Sequence, residues 1–121
     1  INQKTKEGKT MDNWVSAIVG DTQGNIWVII PDQGIFRYKD NELYFYEISN
    51  RRQFKQESPN CICVRENGEV WIGFWGLGIC RYNPQKDSFE QIVEDRDGRP
   101  LVGKNINSIC EYGDWLITKG N

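Results

Sequence analysis

Apolar residues in this chain fall in short runs that alternate with polar segments carrying glycine, asparagine or proline. Val15, Ala17 and Val19 alternate with Ser16, Ile18 and Gly20, which predicts a short buried strand. Residues 21–25 read as a turn, because Gly24 and Asn25 tolerate positive φ. Residues 26–30 are a nearly unbroken β-branched run around Trp27, the composition of a strand buried on both faces. Pro31 interrupts it, since proline removes a ladder donor. A third strand over residues 34–38, a hairpin turn at 39–42 and an outer strand over 43–48 complete the unit. No stretch carries a helical period, so the pattern predicts an all-β chain.

The same order is then written again. Strands are expected at residues 61–65, 70–74, 78–82 and 88–93, with turns at 66–69 and 83–87 and a link at 75–77. A third copy opens at residues 106–110, turns at Tyr112 and Gly113, and runs on through Trp115. Trp27, Trp71 and Trp115 mark a period of 44 residues. Four short antiparallel strands per unit at this period describe a β-propeller blade. The expected division is the end of a preceding blade and its loop over residues 1–13, blades over 14–58 and 59–103, and the first half of a third blade over 104–121. That makes about 2.75 blades in 121 residues, whereas rings close with roughly 4–8. The missing blades come from a longer polypeptide or from other copies of the chain. A start at Ile1 and an end within a unit favour a segment of something longer.

The blade signatures of WD and kelch repeats are missing. The first unit reads Val15-x-x-Ile18-x-x-Asp21-x-x-Gly24-Asn25-Ile26-Trp27, then Gly34-Ile35-x-Arg37-Tyr38, then Phe45-x-x-Ile48. The second carries Gly68, Val70, Trp71, Ile72 and Gly73, then Gly78, Ile79, Arg81 and Tyr82, then Phe89. This pattern resembles the two-component regulator propeller repeats, and the resemblance covers essentially the whole chain. The second unit departs by a shortened first turn, with Glu66-Asn67 in place of the Asp-x-x of the first, and the third departs further. In that family such repeats form the extracytoplasmic sensor region of Bacteroides-type hybrid two-component proteins, ahead of a membrane helix and a cytoplasmic histidine kinase. The resemblance implies a periplasmic sensing segment for oligosaccharides released from a complex glycan. Two other readings stay open: a self-assembling propeller lectin or interaction scaffold, and a fragment of a propeller-fold polysaccharide lyase or hydrolase.

Composition narrows the chemistry. With 38% hydrophobic and 26% charged residues the chain is ordinary for a soluble globular protein. A net charge of −2 gives no electrostatic case for nucleic acid. The longest apolar runs, residues 26–30 and 70–75, are far too short to span a bilayer, so no direct membrane contact is expected of this segment. There is no histidine, and the four cysteines show no CxxC spacing, so neither a metal site nor a histidine-based nucleophile is expected. Residues 73–78 are glycine-rich but lack the lysine and following helix of a phosphate loop. No cofactor and no catalysis are expected within the segment. Cys61, Cys63, Cys80 and Cys110 are read as buried thiols packing like small apolar side chains, with a disulfide between neighbouring strands as the alternative.

Binding residues usually lie on long connections. Those are residues 1–13, 49–60 and 94–105, which carry a net +3 and leave −5 on the rest of the chain. Arg51, Arg52, Lys55, Arg96 and Arg99 are therefore candidates to steer an acidic oligosaccharide. Trp75, in the link where the first unit has Pro31, and Trp14, just before an inner strand, are candidates to stack on a sugar ring. Trp27, Trp71 and Trp115 recur at a fixed place and are expected in the inter-blade core. Arg37-Tyr38 and Arg81-Tyr82 recur as well and are read as architectural.

Overall fold

The computed structural model describes residues 15–30, 33–46, 58–101 and 103–120. The outer-strand tail expected at residues 1–13 lies outside them. Strands β1 (Ala17–Gly20), β2 (Ile26–Ile30), β3 (Gly34–Lys39) and β4 (Glu42–Tyr46) form one antiparallel sheet in chain order. Strands β5 (Ser58–Val64), β6 (Val70–Trp75), β7 (Gly78–Asn83) and β8 (Ser88–Ile92) form a second in the same order. β9 (Ile106–Tyr112) and β10 (Trp115–Gly120) pair as a hairpin. The fold is all-β: two propeller blades and the inner hairpin of a third. Among the described residues there is no helix, hence none long and apolar enough to cross a membrane.

One turn is used three times. Asp21 N–H donates to the Asn25 carbonyl at 3.0 Å, Arg65 N–H to Glu69 at 2.8 Å, and Asp95 N–H to Arg99 at 2.9 Å. Each turn puts a glycine at its fourth place with φ of +86°, +94° and +79° (Gly24, Gly68, Gly98), a conformation that costs other residues a Cβ clash. The first turn of the second blade is therefore not shortened, contrary to expectation; Arg65 simply stands where the first blade has Asp21. The third use folds the front of the supposed open loop at residues 94–105 into a tight hairpin, closed by a Glu94–Pro100 bridge. The genuinely short turn is Gly113-Asp114, with Tyr112 and Trp115 already paired. Between β3 and β4, Asp40 and Asn41 both take positive φ (52° and 64°), the requirement of a two-residue I′ hairpin.

The main core lies between blades. Trp27, Ile29 and Ile35 of the first sheet face Val70, Ile72, Phe74 and Cys80 of the second. Ala17, Val19 and Tyr46 on one side, and Ile62, Val64, Tyr82 and Phe89 on the other, close its edges. A second cluster, Val28, Ile30, Phe36 and Leu43, occupies the opposite face of the first sheet. β2 thus supplies apolar residues to both faces, which is why its sequence does not alternate.

Trp burial follows the cover each indole receives. Trp27 is 0% exposed, packed by Tyr82 and Phe89 of the next blade at ring distances of 4.8 and 5.6 Å. Trp71 is half-buried, covered by the Arg81 guanidinium 5.4 Å from its ring, on a strand that contacts β9. Trp115 is 72% exposed and, with Tyr112 and Ile117, forms an uncovered face of that hairpin, so it is not a core residue here. β1 departs from expectation for a related reason: Ile18 stands 61% exposed. All four cysteines are free; Cys80 is buried, Cys61 and Cys63 are half-buried, and Cys110 is exposed rather than buried.

The hairpin docks closely on the second blade. Asn60 Nδ2 donates to the Ile106 carbonyl at 2.8 Å, Gly76 N–H to Asn105 Oδ1 at 2.8 Å, and Gly78 N–H to the Lys104 carbonyl at 2.9 Å. Gly73 is required at this contact, because a Cβ there would stand 2.5 Å from Ile106 Cγ2 and 2.6 Å from Cys61 Sγ. Gly73→Ala is expected to lower stability by about 1–3 kcal/mol through overpacking, read as a shift of the chemical-denaturation midpoint.

Candidate functional site

The register sets a row of side chains across the first blade: Val19 opposite Trp27, Trp27 opposite Arg37, and Arg37 opposite Tyr44. All four point toward the second blade. Asp21, at the mouth of the first turn, anchors the row. Its Oδ2 accepts hydrogen bonds from Trp27 Nε1 and Asn25 Nδ2, each 2.8 Å, while Oδ1 accepts the backbone N–H groups of Gln23 and Asn25 at 2.8 and 3.0 Å. Partial burial alone would raise the Asp21 pKa. The four donors outweigh it and hold the carboxyl below its ordinary value.

Arg37 extends the network. Its Nη1 donates to Asn25 Oδ1 at 2.9 Å and its Nε to the Tyr46 hydroxyl at 2.7 Å, while the guanidinium lies 4.3 Å over the Tyr44 ring. The Tyr46 hydroxyl donates across the blade boundary to Asp87 Oδ1 at 2.5 Å, and Tyr82 donates to the same oxygen at 2.5 Å. Arg37 Nη2 stands 3.8 Å from that oxygen. Burial, reinforced by the bond to Asp87, pushes the Tyr46 phenol far above its ordinary value, so it stays a donor at any physiological pH. One carboxylate, two phenols and one guanidinium thereby clasp the first blade to the second.

The second blade uses the same positions with different charge. Arg65 replaces Asp21 and Glu69 replaces Asn25. Trp71 Nε1 donates to Glu69 Oε1 at 3.3 Å, and Arg65 Nε donates to Glu111 Oε2 of the hairpin at 2.9 Å. Arg81, the counterpart of Arg37, lies 5.4 Å over the Trp71 ring and 3.9 Å from Glu69, with 41% of its side chain exposed.

Between these two constellations opens a cleft of about 700 Å³. Its walls are the β1–β2 and β5–β6 turns (Asp21, Gln23, Asn25; Asn67, Gly68, Glu69) and the β7–β8 turn (Pro84, Gln85, Asp87). Arg37, Lys39, Arg81, Tyr82, Asn83 and Glu90 complete it. Most of the lining residues are polar and of both signs, although their apolar atoms form much of the surface, so a ligand there would meet hydrogen-bonding groups and apolar patches together. The cleft opens at the end of the blades where the β1–β2, β5–β6 and β7–β8 turns lie, and not among the residues to which the sequence assigned binding.

Of the residues singled out from sequence, Trp14, Arg51, Arg52 and Lys55 lie outside the described residues. Trp75 is the last residue of β6, paired with Ser58 rather than sitting in the link, and is 39% exposed. Arg96 and Arg99 lie in the exposed turn anchored by Asp95, which accepts the Arg99 backbone N–H at 2.9 Å; the Arg96 guanidinium reaches only the Asp114 carbonyl, at 3.5 Å. None of these three lines the cleft. The residues that do were missed except for Arg37, Arg81 and Tyr82, which were read as architectural. The available signal was the change from Asp21 to Arg65 and from Asn25 to Glu69 between otherwise matching units.

No family model matches the chain, and no curated protein matches it. Solved structures do. The extracellular domain of the hybrid two-component system BT3049 of B. thetaiotaomicron aligns with a TM-score of 0.65 at 21% identity, over 91% of this chain and 14% of its own length. The extracellular domain of the hybrid system BT4673 of the same organism aligns with a TM-score of 0.65 at 17% identity, over 88% of this chain and 15% of its own. Virginiamycin B lyase of Staphylococcus aureus aligns with a TM-score of 0.63 at 17% identity, over 94% of this chain and 39% of its own. The chain thus spans about one seventh of the two extracellular domains it matches, and the shared feature is the fold.

The Asp21 network gives two expected outcomes. Asp21→Ala strands a buried indole N–H and the turn's amides, and should cost about 1–3 kcal/mol in denaturant unfolding, with Asp21→Asn losing less. Because the Asp21 pKa is depressed in the folded state, its charge stabilises above the unfolded pKa, near 4, and that contribution is lost as pH falls through the folded value. The wild-type chain should therefore lose more stability than Asp21→Asn on acidification below about pH 4, measured by denaturant titrations along a pH series.

Proposed function

We propose that this chain is a ligand-sensing propeller segment from the extracytoplasmic, periplasmic part of a hybrid two-component signalling protein, and that its ligands are oligosaccharides derived from a glycan. The observation that carries this reading is the alignment of nine-tenths of the chain with the extracellular domain of one such hybrid system. The residue pattern of both blades, which resembles regulator propeller repeats, points the same way. A cleft lined by amide, carboxylate and guanidinium groups suits polyhydroxylated ligands better than apolar ones, because an apolar ligand would desolvate those groups without replacing their partners.

On this reading the segment's partner is the remainder of a propeller. The uncovered face of Tyr112, Trp115 and Ile117 matches in position the Trp27 face that the second blade covers, and it would receive a following blade. The histidine kinase and membrane helix belong to the rest of the parent polypeptide. One observation favours a second reading: the fold is shared with virginiamycin B lyase, so a fragment of a propeller-fold lyase is the competitor.

The test is calorimetric titration of the chain with a panel of plant and host glycan oligosaccharides, each also incubated and assayed for unsaturated or shortened products. Saturable binding with the saccharide recovered intact supports a sensor. Product formation would replace that reading with the lyase, and no binding across the panel would remove the glycan assignment.

A further inference from the structure

We infer that the cleft between the first and second blades takes a short neutral saccharide and turns away its anionic counterparts. This rests on the saccharide-sensing reading above and adds to it a place and a selectivity.

The charges around the cleft answer one another within the protein. Asp87 stands 3.8 Å from Arg37, Glu69 stands 3.9 Å from Arg81, and Glu90 stands 3.7 Å from Lys86. Arg81 is also held over the Trp71 ring, and Arg65 stands 3.6 Å from Glu69. Asp21 keeps its charge, which its four hydrogen-bond donors stabilise without cancelling. Lys39 is the one lining cation left, and Asp21 matches it in number. The lining itself sets four carboxylates against three cations, so it holds no surplus of positive charge. A carboxylate or sulfate entering there would give up hydration without gaining a cation in exchange.

What the cleft offers instead is neutral. Among the described residues, none bonds the side-chain amide of Gln23 or of Gln85. Asn67 Oδ1 accepts the Glu69 N–H at 3.0 Å, which leaves its Nδ2 as a free donor. These amides stand on three turns, β1–β2 of the first blade and β5–β6 and β7–β8 of the second. A side-chain amide both donates and accepts, as a sugar hydroxyl does. Tyr82 and Pro84 add apolar surface to the same lining. A pyranose carries hydroxyls around its edge and C–H groups on its faces, so it uses both kinds of surface at once. The volume of about 700 Å³ lies within the roughly 300–1,000 Å³ typical of small-molecule sites.

The probes are cellobiose, maltose, lactose and mannobiose, together with any neutral binder from the panel above. Each is set beside the derivative in which a primary alcohol is oxidised to a carboxylate. Calorimetric titration is repeated with Gln23→Trp, which fills the cleft from an exposed turn, and with Gln85→Ala. Trp75→Ala and Arg96→Ala/Arg99→Ala test positions outside the cleft. Circular dichroism and unfolding midpoints confirm that each variant folds. At least one neutral probe should bind, with about tenfold or greater weakening in its oxidised form. Its binding should be lost in Gln23→Trp and weakened roughly threefold to tenfold in Gln85→Ala. Neutral-sugar binding that survives both cleft variants, or that falls only in Trp75→Ala or Arg96→Ala/Arg99→Ala, overturns the cleft and leaves the sensing reading intact. Oxidised probes that bind as tightly as neutral ones, or binding by acidic saccharides alone, overturn the selectivity. Absence of binding by these probes and by the wider panel removes the saccharide reading itself, and this inference with it.

Discussion

A fully buried indole beneath a neighbouring sheet is the interaction on which the rest depends. Burying a tryptophan removes roughly 150–250 Å² from water, about 4–6 kcal/mol at the usual area coefficient and an upper bound once the unfolded chain's own burial is considered. An unpaired N–H in that setting would take back about 1–3 kcal/mol. Asp21 therefore decides how much of the gain Trp27 keeps. The same carboxylate shapes the turn that leads into β2, so turn geometry and inter-blade packing hang on one side chain. Arg37 and Asn25 carry that order outward to Tyr46, and Tyr46 hands it to Asp87 on the next blade.

The clasp and the cleft are two aspects of one construction. Blades diverge as they run outward, and the wedge between them must be filled by side chains or left open. Apolar and aromatic residues fill it along the strands, where Trp27 of β2 meets Tyr82 of β7 and Phe89 of β8. Toward the turns the filling becomes polar, and the walls no longer meet. Groups needed to hold the blades together thus line the cavity that remains, with Asp87 serving both.

Much of the fold was legible in the sequence. Strand positions, the 44-residue period and the alternation of tight turns and links follow from local composition, because each turn needs its glycine and each strand its β-branched run. Less legible was anything that depends on a neighbour. Trp115 reads like Trp27, yet a side chain's exposure is set by the sheet that packs over it, and no described sheet packs over Trp115. The turn at residues 65–69 looked shortened because Arg65 hides its likeness to Asp21, while the backbone hydrogen bond is the same. The cleft escaped because its walls come from turns of two units, and the Tyr46–Asp87 contact joins residues 41 positions apart. The arginines at 96 and 99 drew notice through net charge, a property of segments that says nothing of where side chains converge.

Repeat proteins are often pictured as strings of interchangeable parts, but the change from Asp21 to Arg65 makes this one directional. The first blade's turn closes upon its own indole. The second blade's turn reaches forward, placing Arg65 against Glu111 and the Glu66 amide against the same carboxylate. A duplicate of the second blade set before another of its kind would meet no such acid, and a first blade set there would leave Glu111 without its cation. Neighbours recognise one another by charge as well as by shape. The order of blades is thereby written into the interfaces, so a recombination that shuffled whole units would preserve every strand and still assemble poorly.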